Sequence, residues 1–431
     1  MNRSLWAVLL GTFTLRFSTG LTGAMLAFYL AKLPTFHPDA QPVSALTVGV
    51  FSATFFIAEL ALSPIFGILS DRYGHHRIML FGPVFGAAAV ILTALSGNLF
   101  VLGGTRLLEG SSTAASVPSI LGYIAIVTAG SEALRGRAAS RFEGATLAGI
   151  GLGFIAGPVL FEMLGAWAFA LNAVFYMGSL AIYAIWVKDP AGESEAAARE
   201  HVSFARYVQL IGHSHVWLLA PTWIAVNASI GLWFSQSLFQ LAKPNTKFPE
   251  QWLHHGFAPE EITLGAIVVA IVFGAGILWW GNRFDRYRRT SIIGLGIAGG
   301  LGLVVAGAVA NHAAHHTGES PIYVVLLVVA LAIAGVGLFA LAGATPAAVG
   351  LLADVSEQFP GDRGAIMGLY SVFLGIGQIT GSLVGGVAAE WRGFDGLFIA
   401  TGTLLLIAVI PLTQLRRVEH YLTGPASAAA L

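Results

Sequence analysis

Apolar residues in this chain do not alternate with polar ones; they run in long blocks separated by short polar links. A helix that crosses a bilayer needs about 20 apolar residues. Twelve blocks meet that length, near 5–31, 45–69, 79–97, 99–128, 141–163, 167–187, 213–240, 262–281, 291–311, 321–350, 364–389 and 395–415. Gly and Pro recur inside them, as expected where helices pack closely in lipid. The pattern predicts an all-α membrane protein with twelve spans.

The most polar long link, "KDPAGESEAAAREHVSFARY" at 188–207, follows the sixth block. It predicts a six-helix bundle over 1–187, a cytoplasmic central loop over 188–212 and a second six-helix bundle over 213–431. Basic residues orient the chain. With the N-terminus in the cytoplasm, sixteen Lys and Arg fall in inner segments and four in outer ones, Lys32, Lys243, Lys247 and Arg392. The bias predicts a multi-pass protein of the cell (inner) membrane with both termini cytoplasmic. "MNRSLWAVLL" enters its apolar block without a small-residue cleavage site, so the first span is expected to be retained.

The two halves echo each other. Pro118, Gly122, Arg135, Gly136, Gly149, Gly153, Gly157 and Gly165 recur, in one ungapped register, as Pro346, Gly350, Arg363, Gly364, Gly377, Gly381, Gly385 and Gly393. "GILSDRYGHHR" (67–77) shares Gly67, Asp71, Arg72 and Tyr73 with Gly281, Asp285, Arg286 and Tyr287, in a second and shorter register. The longer link at "NHAAHHTGESP" takes up the difference between the two registers. Two halves of one hand form a parallel repeat of the kind found in alternating-access carriers.

Composition narrows the function. Of 431 residues 56% are hydrophobic and 10% charged, against about 25% charged in a soluble domain. Formal net charge is zero, which points to no nucleic-acid partner, and cysteine is absent. All twelve histidines and all seven aspartates fall in links or near block ends. Buried metal or hydrolytic centres need such residues at depth, so no metal, no cofactor and no enzyme activity are expected. The pairs His75–His76, His254–His255 and His315–His316 read as solvated link residues. No phosphate-binding G-x-x-x-x-G-K-[ST] loop is present, which disfavours ATP-driven transport. Nothing matches a channel filter.

The 67–77 stretch resembles the signature G-x-L-a-D-r-x-G-r-[kr] of the major facilitator superfamily, through Gly67, Leu69, Asp71, Arg72, Gly74 and Arg77, with His75 in place of a basic residue. "TRLLEG" (105–110) is similar to that family's R-x-x-q-G segment, with Glu109 for glutamine. "GFIAGP" (153–158), ending in Pro158, is similar to its antiporter-associated G-x-x-x-G-P, although the two glycines expected next are Phe161 and Glu162. The resemblance implies secondary transport by alternating access from a site between the halves. Physically, Asp71 and Asp285 can accept amide hydrogen bonds at the N-terminus of a neighbouring helix. The expected partners are the helices beginning near Gly364 and Arg141, with Arg72, Arg77 and Arg286 pairing Glu132, Asp354 or Glu357, and Gly67 and Gly281 allowing close backbone approach.

Arg16, Glu59, Arg106 and Glu109 lie deep in spans of the first half. A charge at that depth costs roughly 2.5–3.5 kcal/mol, so each needs a partner or water. They are the candidates for proton exchange and for holding a charged substrate group. Asn227, Trp233, Phe234 and Gln236 on the seventh span, with Gln378, the repeat equivalent of Ile150, are the candidate substrate pocket. Glu143 and Glu162 read as solvated end residues. The expectation is a monomeric, proton-coupled exporter of a small organic solute. The alternative is a proton symporter or a uniporter for a sugar, organic anion or lipid-like metabolite.

Overall fold

The computed structural model describes residues 3–128, 131–188, 218–281, 283, 286–357 and 363–423; Asp285 and all of the link 188–207 after Lys188 lie outside them. Among the described residues there is no strand. The helices are α1 (Arg3–Ala31), α2 (Leu33–Phe36), α3 (Ala45–Tyr73), α4 (His75–Met79), α5 (Phe81–Leu95), α6 (Leu99–Val127), α7 (Glu132–Leu164) and α8 (Trp167–Trp186). They continue with α9 (Ala220–Ala242), α10 (Pro259–Gly281), α11 (Arg289–His315), α12 (Pro321–Leu341), α13 (Ala344–Glu357) and α14 (Arg363–Thr423). The chain packs as two compact units, Met1–Glu200 with Ala258–Leu264, and His201–Phe257 with Gly265–Leu431.

Side chains start several of these helices. Ser44 accepts from Thr47 N at 3.1 Å, Asn98 from Phe100 N at 2.8 Å and Ser131 from Leu134 N at 3.3 Å, each satisfying an amide that has no partner inside its helix. With Ser131 as its cap, α7 starts well before the apolar block at 141. That early stretch is helical yet basic, and Arg141 stacks over the Trp6 ring at 5.1 Å.

Nine helical stretches among the described residues are long and apolar enough to cross a membrane. In that of α10 only 11% of residues are buried, and its outward side chains are apolar, as lipid demands. α1 and α9 are long enough but are not among the nine, because Thr, Ser, Arg, Asn and Gln interrupt them. They bury those polar residues instead of exposing them, so both helices lie deep in their units.

One expected span contains a break, and another boundary falls where the sequence placed it. The block at 321–350 is two helices, α12 and α13, broken at Ala342–Gly343. The Trp280 ring lies against Gly343, where an added Cβ would sit 2.6 Å from Cγ, and Trp280 Nε1 donates to Phe339 O at 3.2 Å. A side chain that takes a carbonyl from the helix ladder ends or kinks it. The blocks at 364–389 and 395–415 are the two helical arms of α14, separated by non-helical backbone at Arg392 and Gly393.

The repeat holds in three dimensions. Gly165 and its equivalent Gly393 both turn the chain with positive φ, 56° and 58°, a conformation that favours glycine. On α7, a Cβ at Gly149, Gly153 or Gly157 would strike α1, at 2.7 Å from Phe13 O, 2.1 Å from Phe17 O and 2.4 Å from Ala24 Cβ. On α14, a Cβ at Gly377, Gly381 or Gly385 would strike α9, at 2.8 Å from Ile224 O, 2.1 Å from Ala228 O and 3.0 Å from Leu232 Cγ. Phe13 thus corresponds to Ile224 and Phe17 to Ala228 at one constant spacing, so α1 and α9 are repeat-equivalent helices seated on equivalent glycine stripes. The same spacing pairs Arg16 with Asn227, whose Cβ atoms lie 2.9 and 2.5 Å from where a Cβ on Gly149 and Gly377 would stand.

Within the second unit the α9–α10 connection caps the arm of α14 that starts after Gly393. Phe394 N donates to Gln251 Oε1 at 2.9 Å and to His254 Nε2 at 3.3 Å, and Gln251 Nε2 donates to Arg392 O at 3.0 Å. Burial lowers the His254 pKa to about 4, although the charges of Asp395 and Glu250 oppose the shift. The folded protein therefore needs a neutral ring. Stability should fall as pH drops from the free-histidine value of 6.5 to about 4, where the unfolded chain binds the proton first, and level off below. His254→Gln should flatten that limb of a melting-temperature profile; an unchanged limb would remove His254 as its source.

Candidate functional site

α6 carries Arg106, Glu109 and Thr113 at a spacing of three and four, which puts them on one helical face, and all three are buried. Arg106 and Glu109 form an ion pair through Nη1 and Oε2. The guanidinium also lies 5.0 Å from the centre of the Phe55 ring on α3, a cation–π contact. Thr113 Oγ1 accepts from Arg16 Nη1 of α1 at 3.3 Å. Arg16 and Arg106 are each 8% exposed and Glu109 2%, so this charge chemistry is sequestered inside one helical unit. Glu59 on α3 is half-buried, and Arg16 is the charge that acts on it. All four deep ionisable residues thus belong to α1, α3 and α6 of the first unit.

Sequence reading missed the residues that frame this cluster. Asn172, Tyr176, Ser179 and Tyr183 recur along α8 at spacings of four, three and four, and every one is fully buried. They bind α1 along its length. Asn172 Nδ2 donates to Ser18 O at 3.0 Å and Thr22 Oγ1 at 2.8 Å, Ser179 to Gly11 O at 2.8 Å, and Tyr183 to Thr12 Oγ1 at 3.4 Å. Tyr176 reaches the other way, donating to Glu109 Oε1 at 3.5 Å. The signal was present: a polar stripe at helical spacing on an otherwise apolar helix.

The second unit has no such pair at the equivalent place. In the register that sets Pro118 on Pro346, Glu109 falls on Gly337, and a Cβ there would lie 2.4 Å from Gly299 O, leaving no room for a side chain. The candidate pocket residues of this unit are neutral. Asn227, Gln236 and Gln378 are buried. Asn227 Nδ2 donates back to Trp223 O at 2.8 Å, and Gln236 Oε1 accepts from Gln240 Nε2 at 3.3 Å. Trp233 donates to Thr401 Oγ1 at 3.0 Å and packs on Phe394 and Phe398, whereas Phe234 is exposed. The two arms of α14 also leave an apolar groove of about 570 Å³ beside Val387, Trp391, Ile399 and Ile407, which contains none of these candidates.

At the 67–77 motif, Asp71 Oδ1 lies 3.7 Å from His75 Nε2, His75 Nδ1 is 3.0 Å from Ser70 Oγ, and the imidazole fills the space over Gly122. The residue that departs from the family signature is therefore a buried packing residue. Close approach at the glycines is not found: the nearest atom to a Cβ on Gly67 is Pro118 Cβ at 3.8 Å, and Gly281 has none within 4 Å among the described residues. Asp354 pairs with Arg289 at 3.3 Å, a partner not among the arginines expected for it. Asp285 lies outside the described residues, as do the side chains of Glu132 and Glu357. Glu162 pairs with Lys32 at 2.8 Å, both partly exposed, a surface pair of small energetic weight.

A sequence profile of the Major Facilitator Superfamily matches residues 8–249 and 245–430. The chain is 24% identical over 373 residues to Multidrug resistance protein 2 of Bacillus subtilis strain 168, covering 84% of each. It is 20% identical to Quinolone resistance protein NorA of Staphylococcus aureus strain MSSA476, covering 96% of this chain and 97% of that protein. Among solved structures it is similar to the nucleoside transporter NupG, with a TM-score of 0.70 at 14% identity, covering 96% of this chain and all of the other, a likeness of fold alone.

Proposed function

The chain belongs to the major facilitator superfamily and is a multi-pass membrane transporter, and on that premise we propose that it is a proton-coupled exporter of small organic solutes. One observation carries the reading: Glu109, an ionisable carboxylate, is held almost fully buried beside Arg106 on a membrane-spanning helix. Burying a charge there is expensive, and a transporter that needs only a rigid scaffold has cheaper ways to pack α6. A carboxylate whose water access changes between states can bind a proton on one side and release it on the other. In this reading Glu109 exchanges the proton, Arg106 and Arg16 hold or release its charge, and Glu59, on which the charge of Arg16 also acts, is the alternative carboxylate.

Relatives named for multidrug and quinolone resistance support export over import and amphipathic organic molecules over sugars. The neutral amides and aromatic residues of α9, Asn227, Trp233 and Gln236, suit such a solute, and Asn227 occupies the repeat position of Arg16. Twelve spans in two six-helix halves, cytoplasmic termini and a monomer working by alternating access belong to the same proposal.

Proteoliposomes with an imposed pH gradient test it. A fluorescent lipophilic cation or a quinolone should move against its own gradient, saturate with concentration and stop when a protonophore collapses the pH difference. Movement that neither saturates nor responds to the protonophore would overturn proton-coupled carriage.

A further inference from the structure

We propose that Arg16 and Thr113 form a receptor for an oxyanion and that the exported solute is an organic carboxylate, an inference that rests on the export reading and names its substrate class. The two deep guanidinium groups of the first unit are used differently. Arg106 is spent, paired with Glu109 and laid over the Phe55 ring. Arg16, 8% exposed, makes one hydrogen bond among the described residues, from Nη1 to Thr113 Oγ1 at 3.3 Å, and no ion pair. A guanidinium carries five N–H donors, so most of them have no protein acceptor. Nor are they sealed in: Nε and Nη2 border space that a solvent molecule can enter.

Thr113 completes the receptor. Its oxygen accepts from Arg16, and its proton is left over. Serines of the same helix spend theirs on the helix itself, Ser111 on Leu107 O at 2.7 Å, Ser116 on Ser112 O at 2.8 Å and Ser119 on Ala115 O at 2.7 Å. Thr113 makes no such bond among the described residues, so its hydroxyl and the free edge of Arg16 offer donors side by side, from α6 and α1. A carboxylate fits them. It has two oxygens and no proton of its own, it matches the planar fork of a guanidinium, and a remaining lone pair can take the hydroxyl proton. One free cation also matches one negative charge, whereas a phosphate monoester would bring roughly two.

The protein supplies no carboxylate of its own at this place. Glu59 of α3 and Glu143 of α7 feel the charge of Arg16, yet neither comes within ion-pair distance of it. An unpaired cation in a membrane span is expensive, and the repeat shows that the fold does not require one. Asn227 takes the position of Arg16 in the second unit, against the equivalent glycine, and turns its amide back to Trp223 O at 2.8 Å. A neutral side chain that satisfies itself therefore meets the packing needs of that position. What Arg16 adds is a set of donors for something the protein does not contain.

A matched pair of probes tests the receptor: a fluorescent quinolone acid and its methyl ester, titrated onto the purified full-length protein in nanodiscs. Wild type should hold the acid about ten- to a hundredfold more tightly than the ester, the worth of hydrogen bonds to a charged group. Arg16→Gln should bring the acid down to the level of the ester and leave the ester unchanged. Arg16→Lys, which keeps the charge and loses the fork, should fall between, and Thr113→Val should weaken the acid alone by a smaller factor. An acid preference that survives Arg16→Gln overturns the receptor. If Arg16→Gln loses the ester as well, as a misfolded variant would, Thr113→Val decides, and an undiminished acid preference there overturns it. If wild type does not prefer the acid, or binds only a lipophilic cation, the substrate class is wrong while export of organic solutes stands. If it neither binds nor moves any of the three, the export reading itself fails and the receptor with it.

Discussion

Arg106→Ala should be among the most damaging single substitutions in the first unit, lowering stability by about 3–5 kcal/mol, because it strands a buried carboxylate without its cation. Glu109 is 2% exposed, so water cannot replace the lost partner. The substitution also empties the space over Phe55 that the guanidinium fills. A second change separates these costs. Arg106→Met with Glu109→Leu removes both charges and keeps volume, and replacing a buried pair by apolar residues is often neutral or stabilising. The double variant should therefore melt well above Arg106→Ala in the same detergent, yet be silent in proton coupling. Equal melting of the two variants would mean that packing, not charge, sets the cost.

Gly153→Ala and Gly381→Ala should destabilise by similar amounts, about 1–3 kcal/mol each, since forcing a methyl into a packed interface shifts backbone. In both, the new carbon would stand 2.1 Å from a main-chain oxygen, of Phe17 on α1 and of Ala228 on α9. A carbonyl inside a helix cannot rotate away, so the helix must move. Gly151 provides the control: no atom stands within 4 Å of its Cβ position, and alanine there should be neutral or mildly stabilising through helix propensity. Thermal melting of the three purified variants is the measurement. Matching losses at 153 and 381 with none at 151 are expected; a loss at only one of the pair would break the equivalence of the two stripes.

These residues also mark what was legible in the chain. The echo of Pro118 to Gly165 in Pro346 to Gly393 was readable because glycine and proline are chosen for backbone reasons that both halves share. The echo between α1 and α9 was not, because what repeats there is the main-chain oxygen of Phe17 and of Ala228, behind unlike side chains. The Arg106–Glu109 pair was open to reading from a spacing of three on one helix, but the sequence reading left the four deep charges unpaired. Thr113 as the acceptor for Arg16 was not open to it, since that contact depends on how α1 crosses α6. The α8 stripe was visible but hidden by residue type: Asn, Ser and Tyr are common in membrane helices, and only their partners on α1 show them to be a seam. The start of α7 was drawn at 141 because the basic residues at 135, 137 and 141 read as a link, whereas the inside bias constrains charge and not secondary structure. The break at Ala342 needed Trp280, which stands at the end of a different helix, α10, to be seen.

The unequal units give the proposed mechanism its shape. Arg16, Glu59, Arg106 and Glu109 lie on α1, α3 and α6 of one unit, and the repeat position of Glu109 in the other is a glycine too tightly packed to accept any side chain. A protein that couples one proton site to transport needs only one such cluster, and duplication followed by loss of charge in one half would leave this arrangement.

Proton movement tied to Glu109 is the claim on which the rest depends. Proteoliposomes loaded with a pH indicator, given a saturating dose of a transported lipophilic cation or quinolone, report it directly. The wild-type protein should move protons opposite to the solute, and Glu109→Gln should abolish that proton flux while still exchanging labelled for unlabelled solute across the membrane. Proton flux that persists undiminished in Glu109→Gln would contradict it.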